Sequence, residues 1–367
     1  MSEYRLHDKS TLTLYTDNTR TIEIDGCSAV WSLVFLEDGR HILTGAEDGM
    51  IRQWRVEDGR EVGQPFRASS GIQSLALSGD RKWVVSGEER LATVWNRITH
   101  QCAFTVDEHT NWVRTVDVSP DSTRFATGST DHKVYIWDIS TGIRLVGPLR
   151  HEKHVVAVKF SPDGNYLASI SLCRELRIYN AENGELLRSV SVKTHSTNPI
   201  AWSSDSRRIF VICSDGAIRQ IFVDTGTFIS EWTTPGELDN SFVSVALPRN
   251  GRFIASFVGR TLSLWDTSTT ERFGPVFDHP RNSRLWSIAL SLDNNYIATG
   301  GENGVVTLRN LNNIIPMYYL GRQGVQQPPQ HGIDVIRGEI RALESRIGAL
   351  LGALSSTRLL TEPRQKS

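Results

Sequence analysis

The residues most able to do chemistry in this 367-residue chain are few, and their spacing argues against catalysis. His151-Glu152-Lys153-His154 comes nearest to a metal-binding motif, but its second histidine falls one residue short of H-E-x-x-H. Paired zinc-binding histidines of that motif need the i, i+4 face of a helix, and this segment reads as a strand entrance. Asp48, Asp131 and Asp215 stand at equivalent turns, which makes them turn formers rather than a catalytic carboxylate set. No G-x-S-x-G, G-x-x-x-x-G-K-[S/T] or G-x-G-x-x-G occurs, so the nucleophile elbow, the phosphate loop and the dinucleotide fingerprint are all missing. Cys27, Cys102, Cys173 and Cys213 are widely spaced and form no C-x-x-C. They read as free thiols of a reducing compartment. The expectation is a chain with no cofactor, no metal and no enzymatic activity.

What positions these residues is a repeat. Apolar residues recur at offsets 0, 3 and 5 in seven units: Val30/Leu33/Phe35, Ile72/Leu75/Leu77, Val113/Val116/Val118, Val155/Val158/Phe160, a weaker Thr197/Ile200/Trp202, Phe242/Val245/Leu247 and Leu285/Ile288/Leu290. Successive units start 41 to 45 residues apart. Each opening strand runs into a turn such as Ser119-Pro120-Asp121 or Ser161-Pro162-Asp163-Gly164, where Pro pre-sets φ and Gly supplies φ > 0. A second strand ends in small residues (Ala126-Thr127-Gly128, Ala298-Thr299-Gly300). A third closes on Trp54, Trp95, Trp137, Tyr179, Phe222 or Trp265, with Arg309 in the seventh unit, and a more polar fourth strand follows. Four short strands per unit with no helical period predict an all-β array.

Units of this length with Trp137-Asp138 and Trp265-Asp266 at strand ends resemble the WD-repeat β-propeller family over about 290 residues. The resemblance implies an all-β, seven-bladed β-propeller. The family's structural tetrad of His, Ser or Thr, Asp and Trp maps onto His109, Thr127, Asp131 and Trp137. The first unit keeps Thr44, Asp48 and Trp54 with Gly26 in place of His. The fourth keeps His151 and Ser169, with Cys173 and Tyr179 in place of Asp and Trp. In the family a strand before the first unit closes the ring. Thr21–Ile24 is placed for that role, Thr11–Tyr15 resembles a further strand, and Ile314–Leu320 is a competing outer strand for the last blade.

The resemblance also implies that the top face, lined by the inner-strand entrances and the loops joining second and third strands, is the protein-binding surface. Positions flanking the first apolar residue of each unit point there. They give Trp31, Gln73, Trp112, Arg114, His154, Arg284 and Trp286, and the turn positions add Glu47 and Glu302. Trp and Arg are the types enriched in interface hot spots. Trp31 and Trp286 read equally well as plugs of the channel wall.

After Leu320 the pattern changes. Residues 321–332 read as a linker. Ile333, Ile336, Ile340, Leu343, Ile347, Leu350 and Leu354 then fall in steps of 3 and 4, the a/d stripe of an amphipathic C-terminal α-helix over 333–355. That stripe could form a coiled coil between copies, dock on the propeller or meet a partner helix. The expected organisation is therefore an N-terminal extension (1–20), a seven-bladed propeller (21–320), the linker, the helix and a disordered tail (356–367).

Formal net charge is −1, which argues against nucleic acid or an anionic membrane as the partner. No apolar run approaches the 18 or so residues of a membrane span. The composition thus leads to a cytoplasmic location, with the nucleus as a second compartment. The expected function is a non-enzymatic scaffold that presents its top face to a protein or peptide partner, with the helix adding self-association or a second contact. The alternatives are a regulatory subunit reading a peptide or modified tail in the channel mouth and, in another class, a propeller hydrolase.

Overall fold

A computed structural model describes residues 4–5, 10–15, 19–24, 27, 29–192, 199–234, 243–278, 284–312 and 314–320. The expected helix with its stripe Ile333, Ile336, Ile340, Leu343, Ile347, Leu350 and Leu354, the linker and the tail lie outside them.

The described chain forms seven antiparallel sheets, six of four strands and one of six. Each is a blade whose strands run outward in sequence order. In the third, Val113–Val118 lies innermost, then Arg124–Ser129, Lys133–Asp138 and Arg144–Arg150. The two middle strands are covered on both faces and are almost wholly apolar or small, whereas the outermost strands mix exposed and covered positions. The inner strands pack one against the next, and Leu285–Leu290 of blade seven packs against Val30–Phe35 of blade one, which closes the ring.

Closure comes from Thr19–Ile24, which lies antiparallel to Val305–Asn310 with Thr21 opposite Thr307 and Ile22 opposite Val306. Ser10–Tyr15 and then Tyr4–Arg5 continue the same sheet outward, so the segment expected outside the propeller extends blade seven. Ile314–Leu320, the competing outer strand, forms turns instead and is fastened to blade six. The Tyr319 ring stacks on Phe273 at 3.8 Å, its hydroxyl donates to Asp266 Oδ2 at 2.8 Å, and Asn250 Nδ2 donates to its carbonyl at 2.8 Å. Pro316 and the aromatic pair Tyr318-Tyr319 suit this clamp better than a ladder strand.

Two devices join neighbouring blades. A Cβ on Gly300, Gly45, Gly87 or Gly128 would come within 3 Å of the inner strand of the following blade, at Val30, Ile72, Val113 and Val155 respectively. Glycine at the end of the second strand therefore permits the close approach. At the same four seams an inner-strand hydroxyl accepts a backbone N–H from the next blade. Ser287 receives Leu33 (3.3 Å), Ser32 receives Leu75 (2.9 Å), Ser74 receives Val116 (3.1 Å) and Thr115 receives Val158 (3.1 Å).

The Ser-x-Asp turns close the opposite end of the blades. Ser119 Oγ donates to Asp121 at 2.5 Å and receives the Arg124 amide at 2.9 Å, and the pattern repeats at Ser161 and Asp163. These local side-chain bonds are why Ser and Asp mark the turns.

Candidate functional site at the channel mouth

Most polar side chains that could do chemistry are fixed inside blades. In blade three the Trp137 indole donates to Thr127 Oγ1 at 3.0 Å, and Thr127 Oγ1 lies 2.8 Å from His109 Nε2. His109 Nδ1 lies 2.9 Å from Asp131 Oδ2, and all four residues are buried or nearly so. With a neutral imidazole the donors run one way, from indole to hydroxyl to Nε2 and from Nδ1–H to the carboxylate. Burial opposes ionisation of Asp131, but the His109 bond and the amides of Thr110 and Lys133 outweigh it and hold the carboxyl below its usual range.

Other blades answer the same problem differently. Blades one and six keep indole to hydroxyl, Trp54 to Thr44 at 2.8 Å and Trp265 to Ser256 at 3.1 Å. Asp48 and Asp215 receive turn amides and face nearby arginines. In blade four His151 Nε2 is 2.9 Å from Ser169 Oγ and its Nδ1 is 3.2 Å from Ser171 Oγ, with Cys173 where blade three has Asp131. Burial, reinforced by the Arg177 charge, drops the His151 pKa to about 4. His151 is thus a buried neutral imidazole, while His154 is exposed with its ring 5.2 Å from His132. The two histidines of the metal-like segment serve different surroundings. Among the described residues no group of three His, Cys, Asp or Glu is placed to hold a metal ion.

One register expectation fails in blade five. Phe222 does not close the core; it is exposed, and Ile221, opposite Ile209, takes the position that Trp137 holds opposite Phe125 in blade three. A one-residue step puts the aromatic on the other face of the strand. In blade seven Arg309 holds the corresponding position opposite Ile297, buried, with its guanidinium over the Phe277 ring and bonded to the Asp278 carbonyl at 2.9 Å. Burial lowers its pKa to about 10, still far above neutrality.

What remains faces the channel. A cavity of about 470 Å³ occupies the centre of the ring, and Trp31, Gln73, Arg114 and Trp286 all line it. Each follows the first apolar residue of its inner strand, so one strand position on blades seven, one, two and three delivers all four. Arg114 Nη1 donates to Gln73 Oε1 at 2.6 Å across the blade seam. Desolvation in the channel lowers the Arg114 pKa from its usual value. Lower in the channel, Lys159 is neutralised by Asp117 at 2.7 Å.

The other expected top-face residues form the rim. The turn after each second strand folds back on the inner-strand entrance. Thr130 N donates to the Trp112 carbonyl (2.9 Å), Leu172 N to that of His154 (2.9 Å), and Glu302 N to that of Arg284 (3.0 Å). Glu302 also bridges to Ala29, beside Trp31, and receives the Arg284 amide at 3.2 Å. Glu47, exposed, is tied in the same way to Ala29 at 3.1 Å. Trp112 is half-buried and stands two residues before Arg114 in the chain. Four of the nine residues thus line one cavity, and the other five stand at inner-strand entrances or in the turns bonded to them.

A family model described as "IFT122 first beta-propeller" matches residues 71–316, and one described as "WD domain, G-beta repeat" matches residues 18–55. The chain belongs to the WD-repeat β-propeller family. Curated relatives of this WD-repeat propeller include Actin-interacting protein 1 of Drosophila melanogaster, 24% identical over 73% of the chain and 45% of the relative. Target of rapamycin complex subunit LST8 of Mus musculus is 26% identical over 48% of the chain and 57% of the relative. Transcription initiation factor TFIID subunit 5 of Caenorhabditis elegans is 24% identical over 66% and 37%. The chain spans about half the length, or less, of these relatives. WD-repeat propellers are in general protein-binding scaffolds without catalytic activity.

Two features of this WD-repeat propeller are missing from the sequence reading. Glu88 of blade two is buried. It accepts from Thr93 at 2.6 Å, Ser86 at 3.0 Å and Ser69 at 2.7 Å, while Trp95 donates to Ser86 at 2.8 Å. It stands two residues after its hydroxyl partner, where blade three places Asp131 four residues after Thr127, so a search in register passes it by. His132 is the second feature. It has φ of 72° at the turn after Asp131 and brings its ring against His154 from the neighbouring blade. Its signal was the turn position, the left-handed slot that Gly49 fills in blade one.

Proposed function

We propose that this WD-repeat propeller is a non-enzymatic interaction scaffold whose channel mouth seats a segment of a protein partner. One observation carries the reading: Trp31, Gln73, Arg114 and Trp286 project from the same inner-strand position into one cavity of about 470 Å³. Tryptophan and arginine at a concave mouth are what a hot-spot cluster requires. Rim residues Glu47, Trp112, His154, Arg284 and Glu302 would surround it with polar contacts. The test is the Trp31→Ala/Trp286→Ala pair, compared with wild type for partner capture and for folding by circular dichroism. Retained capture by a folded double variant removes the channel mouth from the function. Unfolding of the pair would instead assign the two tryptophans to the wall of the ring.

The heptad stripe from Ile333 to Leu354 supports a second contribution, self-association. Light scattering of the full chain and of a chain ending at Leu320 tests it. A monomer in both cases excludes the coiled coil between copies.

A further inference from the structure

Arg114 differs from the other cation that lines the cavity, Lys159, which has Asp117 at 2.7 Å. Arg114 is desolvated, yet among the described residues its hydrogen-bond partner is a neutral amide, Gln73, and no carboxylate lies within ion-pair distance. A desolvated guanidinium facing a cavity costs free energy that a buried anion would offset. The fork of donors is directional: one Nη1 hydrogen is spent on Gln73, which holds the plane, and others stay available toward the cavity. Across the same cavity stand two indole rings, Trp31 and Trp286, on neighbouring blades.

We infer that the channel mouth takes an acidic peptide segment of a partner, its side-chain carboxylate on Arg114 and an adjoining apolar side chain against Trp31 and Trp286. The inference rests on the protein-binding reading above and names the chemistry of the occupant. A carboxylate fits better than a phosphate because the cavity offers one uncompensated cation. A phosphoryl group carries roughly 1.5 to 2 negative charges at neutral pH and would bury charge without a counterpart. The rim supplies the approach: His132 and His154 lie on the Arg114 side, and Arg114 itself helps to depress the His154 pKa after burial and His132, which marks how near the three groups are.

The experiment pans a random dodecapeptide phage library on the immobilised full chain, then measures selected peptides by fluorescence anisotropy. Three proteins are compared: wild type, Arg114→Met, and Trp31→Ala/Trp286→Ala. Circular dichroism melts confirm that each is folded. The expected result is enrichment of Asp or Glu beside a large apolar residue. Exchange of that acid for its amide, or Arg114→Met, should weaken binding at least about tenfold, and the two losses should not add. Peptides without an acidic residue, peptides that bind Arg114→Met as tightly as wild type, or a phosphoserine version that binds better than the Glu version would each overturn the carboxylate assignment. If those same peptides still need Trp31 and Trp286, the channel-mouth reading survives that failure. Peptides indifferent to all three substitutions, or no enrichment on the wild-type protein, sink both.

Discussion

Acidification should destabilise this propeller through His151 in particular, and the size of the effect follows from its surroundings. In blade three the histidine at this position faces Asp131, whereas His151 faces hydroxyls and Cys173. Among the described residues no anionic group bonds to the ring, and the Arg177 charge opposes its protonation more than Glu175 favours it. The folded pKa is about 4, against 6.5 for an unperturbed histidine. The unfolded chain therefore binds more protons between pH 6.5 and about 4, and stability falls as pH falls through that window. The fall from 6.5 to about 4, at about 1.4 kcal/mol for each tenfold change in proton affinity, corresponds to about 3 kcal/mol when fully expressed, and to about 2–3 kcal/mol at pH 4.5. Urea unfolding of wild type and His151→Gln at pH 7 and pH 4.5 measures it. The glutamine variant should lose about 2 kcal/mol less than wild type over that interval, because the other titrating groups are common to both. An NMR titration of the imidazole should place its midpoint near 4. Parallel losses in the two proteins, or a midpoint near 6.5, would refute the argument that burial without a counter-ion keeps this ring neutral.

Three further outcomes are expected. Thr127→Val should destabilise by about 1–3 kcal/mol in thermal or urea melts, because it orphans the buried Trp137 indole N–H and strips His109 Nε2 of its partner. Gly128→Ala should cost about 1–3 kcal/mol by overpacking, since the new methyl would sit 2.7 Å from Val155 and 2.8 Å from Thr115; a neutral result would mean that the seam relaxes easily. Tyr319→Phe should raise the Asp266 carboxyl pKa, because the phenol donates to it at 2.8 Å, and should loosen the 314–320 clamp, read as faster exchange of the Tyr319 amide, which donates to the Pro316 carbonyl.

Legibility in the sequence followed distance along the chain. The blades were readable because every strand pairs with the next across a tight turn, so the pattern of Val113/Val116/Val118, the Ser-Pro-Asp turn and Trp137-Asp138 all lie within 30 residues of one another. The closing strand was not decided, because Thr21 opposite Thr307 is a pairing between the two ends of the ring, and local pattern suits Thr19–Ile24 and Ile314–Leu320 alike. Phe222 misled because an aromatic near the right place is not an aromatic in the right pleat, and Ile221 satisfies the core instead. For the candidate site, the inner-strand position predicted that Trp31, Gln73, Arg114 and Trp286 share a face. The Arg114–Gln73 bond spans 41 residues and depends on how one blade is rotated against the next, which no local pattern encodes.

That rotation is set unevenly round the ring, and the unevenness bears on where binding occurs. The seams from blade seven through one, two and three to four each carry both a glycine that admits the next inner strand and a hydroxyl that accepts its amide. In blades four, five and six the glycine position holds Ile170, Ile212 and Phe257, and at the hydroxyl position blades four and five hold Ala157 and Pro199, which have no side-chain hydroxyl to offer. The tightly seamed arc is the same one that presents Trp286, Trp31, Gln73 and Arg114. Binding through a few anchors is strongest when the anchors are fixed beforehand, because ordering each rotamer-rich side chain on contact costs about 0.5–1.5 kcal/mol. A seam bonded through both backbone and side chain fixes the relative height of adjacent inner strands, and so the relative positions of the residues they project into the channel. Small residues at the seams and large ones at the mouth are then two halves of one arrangement: Gly45 and Ser32 hold blade one to blade two so that Trp31 and Gln73 stand at a set separation on the channel wall.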